Sequence, residues 1–392
     1  MENIPEIRFR GFAGEWELRK LGDIGEFKNG MNFTKESMGH GHPFVNLQDI
    51  FGKTILDNNE LGLAVSTEKQ RQEYNLKKGD VLFIRSSVKP EGVGETALVA
   101  EDFPNTTYSG FIIRFRANIP LDNQFKRFVF TTKTIRNQIM TKATSSANTN
   151  INQDSLGLLT FNFPGEKEQQ KIGNFFSTLD TTIALYKRKL DGLKKLKAGY
   201  LQQMFPRAGE RVPQIRFASF DGDWNVRKLG EISRIKTGAS DVQDAVEGGE
   251  HPFFVRSEKI ERSSKYLFDG EAILIPGEGR LGDIYHYING KFDYHQRVYK
   301  ISDFTKSVSG IFILYAMQKT FKQHAMTYTV KATVDSLRLP MLTEFEIMLP
   351  SRSEQTDIGN FFRNLDGAIN TQAEKLEQVK RLKSAYLQKM FV

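Results

Sequence analysis

The sequence predicts an α+β protein in which one design is written twice: two mixed domains separated by two long antiparallel coiled-coil helices, with an internal pseudo-two-fold relation. Three observations carry this expectation. Two long helical stretches repeat one another, two less similar stretches contain short strand-like runs, and each half of the chain opens on the same words.

The helices come first because their repeat is the plainest. EQQKIGNFFSTLD, at Glu168 to Asp180, returns as EQTDIGNFFRNLD at Glu354 to Asp366, and the copies run on to YLQQMF and YLQKMF with about half of their positions identical. In the first copy Ile172, Phe176, Leu179, Ile183, Tyr186, Leu190 and Leu193 recur at alternating steps of four and three, a coiled-coil seam. Leu196, Tyr200 and Met204 continue it, and Pro164 and Pro206 bracket the run. The second copy predicts the same seam through Ile358, Phe362, Leu365, Ile369, Leu376, Leu382, Tyr386 and Met390. At about 1.5 Å per residue each helix is roughly 55 Å long. A helix with one apolar stripe must cover it, either against its own copy, which makes an antiparallel pair, or against the domain it leaves.

The second repeat lies upstream. PEIRFRGFAGEWELRKLGDI from Pro5 reappears as PQIRFASFDGDWNVRKLGEI from Pro213, which places Trp16 and Trp224 in equivalent positions. The boundaries that follow are 1–165 for the first domain, 166–206 for the first helix, 207–350 for the second domain and 351–392 for the second helix. A period near 200 residues means duplicated domains, not a solenoid.

Within the variable parts, DVLFIRSS at Asp80, FIIRFRAN at Phe111 and EAILIPGE at Glu271 have the length and composition of strands bounded by glycine-containing turns. FKRFVFTTKTIRNQIM from Phe125 and IFILYAMQKTFKQHAM from Ile311 are each long enough for a helix. Phe111, Tyr294 and Tyr299 are expected in the core.

Several functions are excluded by what is missing. The 392 residues contain no cysteine, so thiol chemistry and thiolate metal sites are out. No GxxxxGK[ST] phosphate loop and no HExxH occurs, and no tetrapeptide of the kind that amino-methylating enzymes use to hold a base is present. His40 and His42 in GHGHP form the nearest metal candidate, but His42 matches His251 at the start of a strand, which favours a structural role. No catalytic centre, cofactor site or metal site is expected. The chain has no apolar stretch long enough for a signal peptide or a membrane span, so a cytoplasmic protein is expected.

A net charge of +8 suits a polyanionic partner, although a merely basic surface gives the same sum. Arg85 and Lys89 lie in a glycine-rich loop after a strand, and Arg280 lies in the corresponding loop of the second half. Arginine forks onto guanine O6 and N7 or onto phosphate, and glycine lets backbone amides approach a phosphate. Lys142, Asn148, Arg297 and Lys331 are further candidates in polar loops, KATSSANTNINQDSL from Lys142 and TYTVKATVDSL from Thr327 among them. Solvated surface residues are the competing reading for each.

Two variable domains separated by matching EQxxIGNFFxxLD…YLQxMF helices, each domain opening on a WxxxKLG segment, resemble the specificity subunit of a type I restriction-modification enzyme. The resemblance covers nearly the whole chain. It implies that each variable segment is a target recognition domain for one part of a bipartite, gapped double-stranded DNA site. It also implies that the helices space the two domains and dock methyltransferase subunits, two of them, with restriction subunits joining the assembly. The helix-pairing and docking residues would include Phe176, Leu179, Tyr200, Phe205, Phe362, Leu365, Tyr386 and Phe391. Adenine methylation and cleavage would belong to the partners, which use S-adenosylmethionine, ATP and Mg. A pseudo-dimeric DNA-binding regulator without enzyme partners, and a purely structural coiled-coil scaffold, are the alternatives.

Overall fold

The computed structural model describes residues 3–57, 61–145, 148–328 and 336–392. It divides the chain into two units, Met1–Tyr186 with Lys375–Val392, and Lys187–Glu374. Each long helix starts in one unit and ends in the other, and the α+β class with long antiparallel helices is as expected. Those helices run over Glu166–Gln203 and Arg352–Lys389, 38 residues each. Glycines at 173, 192 and 199 do not break the first, because no proline falls inside it and its ladder continues past them.

In the first unit a four-stranded sheet runs in the order Gly25–Asn29, Ile112–Ala117, Val81–Ile84, Thr96–Leu98, all antiparallel. Val81–Ile84 is buried on both faces, which explains why its four residues are all apolar and do not alternate. A three-stranded sheet of Gly62–Ala64, Met38–Val45 and Thr107–Tyr108 shares a core with it through Val45 and Tyr108, which cluster with Leu82, Ile84 and Ile112. A small sheet of Thr144–Ser145, Thr149–Asn150 and Ser86–Ser87 forms the tip beyond Val81–Ile84. The segment from Phe125 is two helices, not one: Asn123–Val129 ends before Thr132, whose hydroxyl caps Lys133–Lys142 through Ile135 N. Thr131 and Thr132 turn their hydroxyls back onto Phe128 O and Val129 O, local bonds that compete with helix continuation.

The second unit gathers six strands into one sheet, in the order Arg234–Thr237, Val298–Ser302, Phe268–Pro276, His286–Tyr294, His251–Phe254, Ile260–Ser263. The helix Gly310–Met326, a single element as expected, buries Phe312, Ile313, Tyr315, Met317 and Phe321 in the core of this unit. In both units the WxxxKLG segment forms a short strand that pairs with the strand leading into a long helix: Glu17–Lys20 with Thr160–Phe163, and Asn225–Lys228 with Glu346–Leu349. The two repeated segments therefore meet in space, which is why they occur together in the sequence.

Candidate nucleic-acid interface

The frame that holds each candidate surface is the repeated helix motif, and most of its letters have a contact. Glu168 takes a forked pair of bonds from Arg8 of the PEIRF segment, and Gln169 accepts from Asp122 N at 3.0 Å while donating to Pro164 O at 2.8 Å. Ile172 and Phe176 enter the core. Gly173 lets the helix approach Asn123–Val129, since a Cβ there would lie 2.7 Å from Phe125 N. Phe175 stands edge-on to both Phe9 and Tyr386, and Asp180 accepts from Arg127 at 2.6 Å and Lys383 at 2.5 Å.

The second unit repeats the set on a different sheet. Arg216 forks onto Glu354, Gln355 accepts from Ser309 N and donates to Pro350 O, and Phe361 contacts Phe217 and Tyr200. Asp366 binds Lys197 at 2.7 Å and accepts from the Tyr315 hydroxyl at 2.8 Å. In each unit one helix contributes the EQxxIGNFF end and the other the YLQxMF end, so the pairing is antiparallel. Both options for covering the stripe are used: part of it meets the other helix and part meets the domain.

This packing keeps the expected pairing of the two helical segments, through Phe176 with Phe391 and Phe205 with Phe362, and corrects the docking role expected for the same four rings. Phe176, Phe205, Phe362 and Phe391 are buried inside their own units, where Phe391 packs on Trp16, Phe125 and Phe176, and Phe205 on Trp224, Phe312 and Phe362. They hold the fold and have no free face for another protein. Leu179, Leu365, Tyr200 and Tyr386 are half-buried. Leu382 and Leu196, expected in the seam, are 46% and 47% exposed. Gln372 occupies a buried seam position that an apolar count passes over, three residues after Ile369 and four before Leu376.

Away from this frame, the candidate DNA-contacting residues sit on the tips of the sheets. Arg85 lies between Val81–Ile84 and Ser86–Ser87; its backbone N donates to Phe111 O, and its Nη1 donates to Gly110 O at 3.2 Å. Lys89 is exposed just before the turn Pro90–Gly92, two residues beyond the strand Ser86–Ser87 that pairs with Thr149–Asn150. Asn148 is exposed beside that pairing and accepts from Asn150 Nδ2 at 2.9 Å through its carbonyl. Lys142 ends the helix Lys133–Lys142 immediately before the same small sheet. Arg85, Lys89, Asn148 and Lys142 thus belong to one tip, which the chain assembles from segments more than 50 residues apart.

In the second unit Arg280 and Arg297 are exposed but ion-paired, Arg280 with Glu258 and Arg297 with Glu278. Glu278 also binds Arg256 at 3.0 Å, a cation the sequence reading passed over because it lies on another loop. His286, half-buried, meets Ser257 O at 3.1 Å, and burial holds it below the ordinary histidine range, so it adds no charge at neutral pH. Exposed pairs of this sort stabilise by about 0–1 kcal/mol, so the guanidinium groups can exchange partners at little cost. Lys331 lies outside the described residues, as does much of the TYTVKATVDSL loop.

Phe111 is a further correction: expected in the core, it is 55% exposed at the tip of the first unit. Tyr294 is buried and Tyr299 half-buried, as expected. His42 lies in the strand Met38–Val45, and among the described residues no group of three or more His, Asp or Glu could hold a metal ion. No helix of the described residues is long and apolar enough to cross a membrane.

Comparison with known proteins fits this architecture. The family described as type I restriction modification DNA specificity domain matches residues 13–195 and 221–381. Over 167 residues the chain is 29% identical to the type I restriction enzyme EcoDI specificity subunit of Escherichia coli, covering 42% of this chain and 36% of that protein. It is 21% identical over 248 residues to the MjaVIII specificity subunit of Methanocaldococcus jannaschii, covering 56% and 58%, and 27% identical over 180 residues to the HindI specificity subunit of Haemophilus influenzae, covering 44% and 36%. The matches thus span between about a third and three fifths of the relatives' own lengths. Among solved structures, the S subunit of a type I restriction-modification system from M. genitalium superposes with a TM-score of 0.68 at 17% identity, covering 99% of each chain. A chain from a study of complex assembly and conformational transition of the type I R-M system gives 0.57 at 17% identity, covering 96% of this chain and 97% of that one.

Proposed function

Since the chain belongs to the type I restriction modification DNA specificity family, we propose that it is a non-catalytic specificity subunit that reads a two-part, gapped sequence in double-stranded DNA and directs adenine methylation and restriction by partner subunits. Residues 1–165 and 207–350 act as the two target recognition domains, and 166–206 and 351–392 as the helices that space them. The observation that carries this reading is the frame built twice: one set of contacts, Arg8–Glu168, Phe175–Tyr386 and Asp180–Lys383, recurs as Arg216–Glu354, Phe361–Tyr200 and Asp366–Lys197 under two different sheets. Identical mounts bearing dissimilar tips suit two dissimilar half-sites held at a set separation.

Arg85, Lys89, Lys142 and Asn148 on one tip, with Arg280 and Arg297 on the other, supply the cations and amides for phosphates and base edges. Two methyltransferase subunits dock on the exposed flanks of the helices, through residues such as Leu185, Leu196 and Leu382, and restriction subunits join that complex. S-adenosylmethionine, ATP and Mg are bound by those partners. The protein works in the cytoplasm, where its DNA is.

The test is a domain exchange. Replacing about 16–165 with the corresponding part of an unrelated family member should change one half of the methylated site and leave the other half and the gap intact. A methylome in which both halves change together would refute the two-reader arrangement. The stand-alone regulator reading predicts instead tight binding without partners and no methylated adenines.

A further inference from the structure

The tips of the two units carry different chemistry at equivalent places. Backbone bonds set the equivalence: Arg85 N donates to Phe111 O and Arg85 O accepts from Ile151 N, while Gly277 N donates to Arg297 O and Gly277 O accepts from Leu337 N. Two further bonds agree, Ile112 N to Ser109 O and Val298 N to His295 O. Phe111 therefore stands in the first unit where Arg297 stands in the second.

Around these positions the contrast widens. Phe111, whose carbonyl accepts from Arg85 N, is 55% exposed; Val88, three residues after Arg85, is 81% exposed and Phe51 43%. Phe51 lies over the turn that follows Val88, since a Cβ built on Gly92 would meet its ring at 2.7 Å and Ser87 Oγ at 2.6 Å. The second unit has ions there: Arg256 and Arg297 share Glu278, and Arg280 pairs with Glu258. Single exposed hydrophobes are ordinary on any surface. Three in this part of the first unit, with Phe111 at the position equivalent to Arg297 of the second and with Arg85 and Lys89 close by in the chain, form a surface that is apolar yet attractive to a polyanion.

Resting on the function proposed above, we infer that the first unit selects thymine through its methyl group, using Phe111, Val88 and Phe51, whereas the second selects a G·C pair through Arg297, Arg256 and Glu278. In the major groove the thymine C5 methyl is the apolar feature that distinguishes one pair from the others, and an aromatic or branched side chain covers it. A guanidinium forks onto guanine O6 and N7, and a carboxylate accepts from cytosine N4. Glu278 draws both guanidinium groups to one place, and as an exposed partner it releases them to a base at little cost.

The experiment uses the assembled complex and a duplex carrying its mapped methylation site. Replacing thymines by uracil removes only the methyl group and leaves the protein untouched. At one or more positions of one half-site, affinity should fall about 3- to 5-fold, the scale of one buried methyl. Photocrosslinking from 5-iodouracil at those positions should land on Phe111 or Phe51. The Phe51→Ala, Val88→Ala, Phe111→Ala triple variant, with its fold verified by circular dichroism, should bind thymine and uracil duplexes equally. In the other half-site 7-deazaguanine should weaken binding about 5- to 100-fold for the natural protein and not for Arg297→Ala combined with Arg256→Ala. A mapped bipartite site that tolerates uracil throughout, or a triple variant that keeps its thymine preference, overturns this inference and leaves the two-reader function standing. Absence of any bipartite methylated site overturns that function and the inference with it.

Discussion

Arg8 holds Glu168 with two bonds of 2.7 Å, from Nε and Nη2, and the pair ties the opening segment of the chain to a helix 160 residues later. Arg216 and Glu354 repeat it at the same 2.7 Å. Both carboxylates are buried, and the bond to each carboxylate raises the pKa of its arginine. Removing one partner strands the other in a poorly solvated place. Glu168→Ala should therefore cost about 2–4 kcal/mol, while the isosteric apolar pair Arg8→Met with Glu168→Leu should recover much of that loss. Urea denaturation of the single and double variants checks it, and an additive double loss would contradict the account.

Glycines in the long helices should divide into two classes. Gly173→Ala drives a methyl to within 2.7 Å of Phe125 N and Gln124 Cβ, and Gly359→Ala to within 2.6 Å of Ile311 Cγ2. Each should destabilise by about 1–3 kcal/mol despite the gain in helix propensity. Gly192→Ala and Gly367→Ala meet nothing within 4 Å and should stabilise by about 0.5–1 kcal/mol. Thermal unfolding of the four variants decides the matter by sign.

Lys300 makes the stability of the second unit depend on alkaline pH. It is 4% exposed with its ammonium 3.2 Å from the centroid of the Phe268 ring, and burial lowers its pKa from 10.5 to about 8, against the pull of Asp303 and with Arg234 and Lys236 adding to the lowering. Between those values the unfolded chain holds a proton that the folded chain has released, so stability rises with pH across that window. Below pH 8 both states are charged and the folded state bears the cost. Lys300→Met should thus stabilise by about 1–3 kcal/mol at pH 7, a gain that shrinks toward pH 10.5. Denaturation at pH 7, 9 and 10 measures it.

Charge placed on the two kinds of helix position should act differently. Phe176→Asp or Phe362→Asp buries a carboxylate among rings 5.0 to 5.6 Å away and should cost more than 3 kcal/mol, seen as loss of the cooperative transition. Leu382→Glu, on an exposed flank, should leave the melting temperature of the isolated chain within a few degrees of the natural protein. If the flank docks methyltransferase subunits, the same variant should weaken assembly, as measured by size-exclusion chromatography of the mixed subunits.

Alanine at Arg85, Lys89 or Arg280 should weaken DNA binding by the complex by about 1–3 kcal/mol where the side chain reads a base edge. Where it meets phosphate, the slope of log affinity against log salt should fall by about one. Binding isotherms at two salt concentrations separate the outcomes, and unchanged affinity for all three would place them outside the interface.

Some of this protein was decided by the sequence alone. A seven-residue apolar rhythm and its repetition determine two long helices, because periodicity is a local property, while what covers each stripe, the other helix or the domain, was left to the tertiary structure. Trp16 and Trp224, equivalent in the text, are equivalent in the cores. The tertiary structure decided what depends on residues distant in the chain. It turned Phe111 outward, because the residue sits in the turn before Ile112–Ala117, where its N–H donates to Ser109 Oγ, and not in the strand that the core covers. It broke the helix after Val129, where two threonine hydroxyls satisfy carbonyls that the next turn would have used. It buried Phe205 and Phe391 beneath the tryptophans, since a helix end that closes a core has no apolar face left over for a partner. Finally, it paired Arg297 and Arg256 through Glu278, a meeting of three loops that spacing along the chain does not encode, because charge acts through space while a motif is written in order.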